Sequence, residues 1–177
     1  MRSLLAHSSN KSSEYQVKFD YKLGTDAIDI LFEVQFFKGL HSSSAFSQTP
    51  EKNWGLWEYD VVETFLQLRN HETDDKAPYL EIQISPLNQK FFLKIIEPRK
   101  IFYTPLKLEA KLESKSEGKF WVSKLNIPFQ SIGLGTELYG NFFASLGPEN
   151  KKEYYAWKIN PEMKADFHRP DLFRKLL

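Results

Sequence analysis

The chain of 177 residues contains no cysteine. That absence removes disulfides, thiolate nucleophiles and cysteine-ligated metals from consideration. Any excess of charge is lacking as well, because 24 Lys and Arg against 23 Asp and Glu leave a formal net charge of +1. A chain so balanced has no global field with which to gather nucleic acid or an anionic membrane. No stretch approaches the roughly 18 apolar residues that a spanning helix needs. The four-residue apolar patch near the N-terminus is too short for the core of a secretory signal. The expectation is a soluble, cytoplasmic protein with neither nucleic acid nor membrane as partner, and with residues 1–13 forming a flexible lead-in.

Catalytic signatures are missing too. The sequence holds no GxSxG elbow, no P-loop and no HExxH helix. The glycines of "GLGTELYG" lack the strand-turn-helix context of a dinucleotide site. The histidines, His7, His41, His71 and His168, are scattered without metal-ligand spacing. "HETDD", residues 71–75, does not have the spacing of a calcium loop and reads as a solvated turn. No cofactor and no metal is expected.

Aromatic residues are abundant instead, at 15% with 15 Phe, 8 Tyr and 4 Trp. Large flat side chains suit the half-buried face of a sheet. The dominant period is two. In "YQVKFDYKL" Tyr15, Val17, Phe19, Tyr21 and Leu23 share one face, and Gln16, Lys18, Asp20 and Lys22 share the other. Strands are expected at 15–23, 27–37, 59–68, 79–86, 90–97, 106–113, 118–129, 137–147 and 153–160. A helical turn is expected near 171–177, and another is compatible with "QSIGLGTE". No long amphipathic helical period appears. Short strands separated by loops rich in Gly, Pro, Asn and Ser imply an all-β fold, a single-domain antiparallel β-sandwich over residues 14–177.

Within "NWGLWEYDVVETFLQLRN", residues 53–70, Asp60 and Glu63 interrupt an otherwise apolar run. Glu63 shares a strand face with Val61 and Phe65, and an unpaired carboxylate buried there would be costly. It therefore needs a partner, either a ligand hydroxyl or a nearby Lys or Arg. Glu63 and Glu81 lie on neighbouring strand-like segments, and a facing pair of acids about 5 to 10 Å apart is what a glycosidase requires. Sugar rings stack their C–H faces on indole, and their hydroxyls seek carboxylates and amides. Trp54 and Trp57 stand at the end of a polar loop where side chains can reach a cleft, and Trp157 ends a late strand. Trp121, inside "KFWVSKL", reads as core.

Six segments recur in a familiar order: "LWEYDVVETFL", "YLEIQISP", "NIPF", "GNFFAS", "YYAW" and "FHRPDLF". Together they resemble the DOMON-like domains related to family-nine carbohydrate-binding modules, over roughly residues 15–175. The resemblance implies a sandwich of about ten strands with a binding cleft on one face. It implies Trp57 and Trp157 as a stacking pair and Glu63 as a hydroxyl acceptor. Asn141 is a further polar contact or a satisfier of backbone, and Arg69 and Gln83 are candidate contacts. The end "FRKLL" lacks the glycine expected after the final Phe. Haem-binding relatives use Met and His, but here the methionines are Met1 and Met163, and His168 reads as a structural hydrogen-bonding residue. The lead reading is a non-catalytic domain binding a saccharide or other small polar ligand. The alternatives are a small hydrolase using Glu63 and Glu81, and an interaction domain whose cleft is filled by its own side chains.

Overall fold

A computed structural model of the protein describes residues 1–7, 14–37, 39–47, 49–104, 108–160 and 164–176. Alternation governs the two longest early strands, with Tyr15, Val17 and Phe19 buried in one and Ile28, Ile30, Phe32 and Val34 in the other. Chain order among the described residues runs β1 (Arg2–Ser3), β2 (Leu5–Ala6), β3 (Tyr15–Leu23), β4 (Ala27–Phe36), β5 (Val61–Arg69), β6 (Tyr79–Ile84) and β7 (Lys90–Glu97). It continues through β8 (Ile101–Tyr103), β9 (Lys111–Glu117), β10 (Phe120–Pro128), β11 (Glu137–Leu146), β12 (Glu153–Ala156) and β13 (Arg174–Lys175).

These strands form two antiparallel sheets. The smaller has five strands in the order β1-β3-β4-β10-β9. The larger has eight, in the order β2-β12-β11-β5-β6-β7-β8 with β13 beside β11. Phe19, Phe32, Trp121 and Phe142 fill the space between them, all completely buried. The Trp121 indole donates to Ser114 Oγ at 2.5 Å, so its one polar atom is satisfied within the core.

The larger sheet is buried on both faces, and this decides where a site can form. In β5 the residues Val62 and Leu66 join the core between the sheets, while Val61 and Phe65 join a second apolar cluster on the outer face. Two stretches of irregular chain cover that outer face, one before β5 and one between β12 and β13. Polar side chains fasten the first. Asn53 donates to the carbonyls of Ser47 at 2.7 Å and Lys90 at 2.8 Å, and accepts from the Ser47 amide at 2.8 Å. Asp60 accepts from the amides of His41 and Gly147, both at 2.6 Å. Asp60 is thus a staple between two loops, and two charge-assisted bonds offset part of its cost of burial.

Several boundaries differ from the sequence reading. The expected lead-in is paired where it is described. Leu4 is buried, and β1 and β2 are edge strands beside β3 and β12; residues 8–13 lie outside the described residues. Such pairing uses backbone groups at a sheet edge and leaves no apolar period to read. The strand expected at 106–113 begins only at Lys111, with residues 105–107 outside the described residues, and Ile101–Tyr103 forms β8 ahead of it. "FQSI" makes a single helical turn. The tail takes a tight turn at Pro170–Leu172 and then pairs as β13, without the glycine, because Leu176 enters the core.

Asp60→Ala leaves the amides of His41 and Gly147 without acceptors, and a buried orphan donor costs about 1–3 kcal/mol. A loss of that order or more is expected in urea denaturation, with little change in the circular dichroism of the sheets at low urea.

Candidate functional site

Between the two covering stretches the outer face of the larger sheet stays open as a cleft of about 640 Å³. Its floor comes from adjacent strands: Glu63 and Phe65 of β5, Glu81 and Gln83 of β6, and Leu93 and Ile95 of β7. Register explains the grouping. Glu63 stands opposite Gln83 and Phe65 opposite Glu81, so the two acids are diagonal neighbours on one face.

Trp54 and Trp57 form one wall. Gly55 takes φ 90, a left-handed conformation, and starts the tight turn Leu56–Glu58. That turn sets the two indoles edge to face, with ring centres 5.0 Å apart. Trp57 rests on Phe91 at 5.5 Å, and Trp54 stacks on Phe102 at 5.8 Å. Trp57 is half-buried, whereas Trp54 is 59% exposed. The opposite wall is residues 164–168 with Tyr154. There Phe167 stacks on Phe143 at 4.2 Å, and His168 Nδ1 lies 2.9 Å from the Tyr79 hydroxyl. Arg99, in the turn after β7 with φ 64, forms an ion pair with Asp166 across the cleft rim.

The floor is buried yet incompletely bonded. Glu63, Glu81 and Gln83 are 4%, 2% and 1% exposed. The Gln83 amide donates to Glu81 Oε1 at 2.6 Å, but Glu81 Oε2 and Gln83 Oε1 have no hydrogen-bond partner. His168 Nε2 approaches Glu81 Oε2 only to 3.8 Å, beyond hydrogen-bonding range. Burial pushes the Glu81 carboxyl up to about 7. Burial and then the neighbouring Glu81 hold Glu63 well above the carboxylate range, while Lys152 partly opposes this. Burial also depresses His168, and takes Lys152 down to about 8. Lys152 is tied elsewhere, donating to the carbonyls of Glu58 at 2.8 Å and Tyr59 at 3.0 Å.

The residues singled out from the sequence divide into two groups. Trp54, Trp57, Glu63, Gln83 and Glu81 converge on the cleft. The other three do not line it. Trp157 lies against Phe19, Tyr21 and Phe142 on the opposite side of the sheet, so the pair Trp57 and Trp157 is not brought together. It directly follows β12, where a one-residue change of parity selects the face. Asn141 is fully buried and brackets Lys158, donating to its carbonyl at 2.9 Å and accepting from its amide at 3.1 Å. Arg69 lies over the Tyr139 ring and donates to Gln67 and to the carbonyls of Glu72 and Pro170. Both polar residues hold backbone rather than face the opening. Sequence reasoning missed Arg99, Phe102, Tyr154 and Asp166. Arg99 and Asp166 lie in a turn and in the tail, which carry no period, and Phe102 and Tyr154 lie in short strands distant in sequence, so nothing local announces that they meet. Among the described residues, no group of three His, Asp or Glu converges as a metal site would require.

Both acids bind protons more tightly when folded. The stability this gives Glu81 is fully present below its unfolded value of 4.5 and is lost as pH rises through about 7. His168, depressed on folding, acts in the opposite sense as pH falls. Comparing variants separates the two. In urea denaturation, the stability of Glu81→Gln relative to the parent should rise steadily from about pH 5 to about pH 8; a difference that stays flat would mean that Glu81 ionises as freely as in the unfolded chain.

No family model matches the sequence, and no curated protein matches it. Solved structures do share its fold. A "putative carbohydrate-binding protein" from Bacteroides uniformis superposes with TM-score 0.71 at 14% identity, over 97% of this chain and 84% of that one. A family 9 carbohydrate-binding module from Caldicellulosiruptor kristjanssonii in complex with glucose gives TM-score 0.60 at 14% identity, over 97% and 82%. The same organism's family 9 module in complex with cellotriose gives 0.60 at 15%, over 93% and 75%. The chain therefore has the β-sandwich fold of family 9 carbohydrate-binding modules.

Proposed function

We propose that the cleft binds a saccharide without cleaving it, with Trp57 and Trp54 as the apolar platform and Glu63, Glu81 and Gln83 as hydrogen-bonding partners of ring hydroxyls. The observation that carries this reading is the floor. Polar atoms of Glu81 and Gln83 are buried at the base of an open, aromatic-walled cleft and lack partners. A buried polar atom without a partner costs free energy that a ligand hydroxyl would recover. Few polar groups among apolar walls are the usual composition of a small-molecule site. The fold shared with modules solved holding glucose and cellotriose supports the same reading.

The hydrolytic alternative draws on the same two acids, whose raised affinities for protons suit a general acid. Glycoside hydrolysis, however, needs two carboxyl groups flanking the scissile bond. Glu63 and Glu81 project from neighbouring strands of one floor and meet a ligand from the same side. Their placement favours holding over cleaving. An interaction domain with a self-filled cleft is disfavoured by the open volume.

Calorimetry with glucose, cellobiose and cellotriose tests the proposal. Binding is expected, and Trp57→Ala should weaken it about tenfold or more, a loss of about 1.4 kcal/mol. Trp157→Phe should leave affinity unchanged while lowering thermal stability. Absence of heat with every sugar, for protein that melts cooperatively, would overturn the reading.

A further inference from the structure

The floor of the cleft carries more acid than a neutral sugar needs. Glu63 and Glu81 are neighbours within the larger sheet, and both are buried. Ionised together, two carboxylates so placed would repel, and neither has a bonded cation to neutralise it. The basic groups nearby are engaged or distant. Arg99 is held by Asp166. Lys152 directs two of its donors to the carbonyls of Glu58 and Tyr59 and acts on Glu63 only through space. Lys164 stands exposed on the rim. His168 Nδ1 pairs with the Tyr79 hydroxyl at 2.9 Å, and its Nε2 stays 3.8 Å from Glu81 Oε2. Tyr154, also lining the cleft, brings a hydroxyl but no positive charge.

We propose that this cleft selects a saccharide carrying a primary ammonium group, an amino sugar, seated with its cation between the carboxyl groups of Glu63 and Glu81 and its ring against Trp57. The inference rests on the saccharide-binding reading above and narrows it to a class of ligand. A neutral sugar can accept from or donate to these carboxyls, yet it leaves the two acids facing each other. An ammonium has three donors and a full charge. It meets Glu81 Oε2, the atom without a partner, and lets both carboxyls ionise. The same cation gains from the adjoining indole faces. N-acetylation of the amine removes the charge and adds bulk, so the acetylated sugar loses the advantage.

Burial, the first cause, raises the proton affinity of both acids above that of free carboxyls. Binding of an ammonium must therefore expel protons to the buffer, and a neutral sugar need not. Titration calorimetry of the full chain with glucose, glucosamine, 6-amino-6-deoxyglucose and N-acetylglucosamine, in two buffers of different ionisation enthalpy, reads both effects. At least one amino sugar should bind about tenfold or more tighter than glucose, as expected for a desolvated charge pair. Proton release should accompany it, and N-acetylglucosamine should fall to the level of glucose or below. Glu63→Gln and Glu81→Gln should each cut amino-sugar affinity more than glucose affinity. The proton-release measurement on the parent protein stands even if a variant does not fold. If glucose binds and the amino sugars bind no better, this inference fails and saccharide binding survives. If none of the four binds to folded protein, both fail.

Discussion

A carboxyl group buried beside another carboxyl group is the constraint around which the outer face of the larger sheet is arranged. Glu63 and Glu81 occupy positions in β5 and β6 whose apolar neighbours on the same face include Val61, Phe65 and Tyr79, with Gln83 opposite Glu63. An apolar pair there would have closed the second cluster and removed the desolvation cost of both acids. Retaining the acids leaves polar atoms without partners at the bottom of an opening 640 Å³ in volume. Natural cores rarely leave such atoms unsatisfied without a reason, and an exchangeable partner is the reason most consistent with an open cleft.

The surrounding architecture keeps that floor at the base of an open cleft. Asn53 and Asp60 fasten the first covering stretch, and Gly55 turns it so that Trp54 and Trp57 face the floor. Asn141 and Arg69 fasten the second, through Lys158 and Pro170. Polar side chains buried under loops are here structural fasteners, and they differ from the polar residues of the cleft by one criterion. The fasteners are saturated with backbone bonds, whereas Glu81 and Gln83 each keep one atom free. Arg69 and Asn141 lie in β5 and β11, and Asn53 and Asp60 reach from the first covering stretch to Lys90 and Gly147, so both walls are anchored to the larger sheet.

Much of the fold was legible in the chain because its period is two. The strand 15–23 and the strand 90–97 are found at the boundaries that alternation gives, and Trp121 lies in the core as its setting suggests. The central strands β5, β6 and β11 are buried on both faces, so their burial does not alternate, yet apolar content still marked them. Glu63 was conspicuous as an acid among apolar neighbours, and it lines the cleft. Trp157 illustrates the limit. Composition and a shared motif say that an indole ends this strand, but the face it takes depends on register against β11, which is a tertiary property. Asn141 and Arg69 were ambiguous for a different reason, since a buried amide or guanidinium serves a ligand or a loop carbonyl equally well until the loop is placed. The far wall was invisible, because Arg99, Tyr154 and Asp166 are distant in sequence and come from turns, a short strand and the tail.

The four indole N–H groups offer the most direct test, since each Trp reports from a different place. Two-dimensional NMR of the protein titrated with saccharide, the indole signals assigned by single Trp→Phe variants, follows all of them at once. The structure predicts that the signals of Trp54 and Trp57 move on saturation while those of Trp121 and Trp157, both on the core side of the larger sheet, stay in place. Movement of the Trp157 signal with Trp54 and Trp57 unchanged would contradict it and place binding elsewhere.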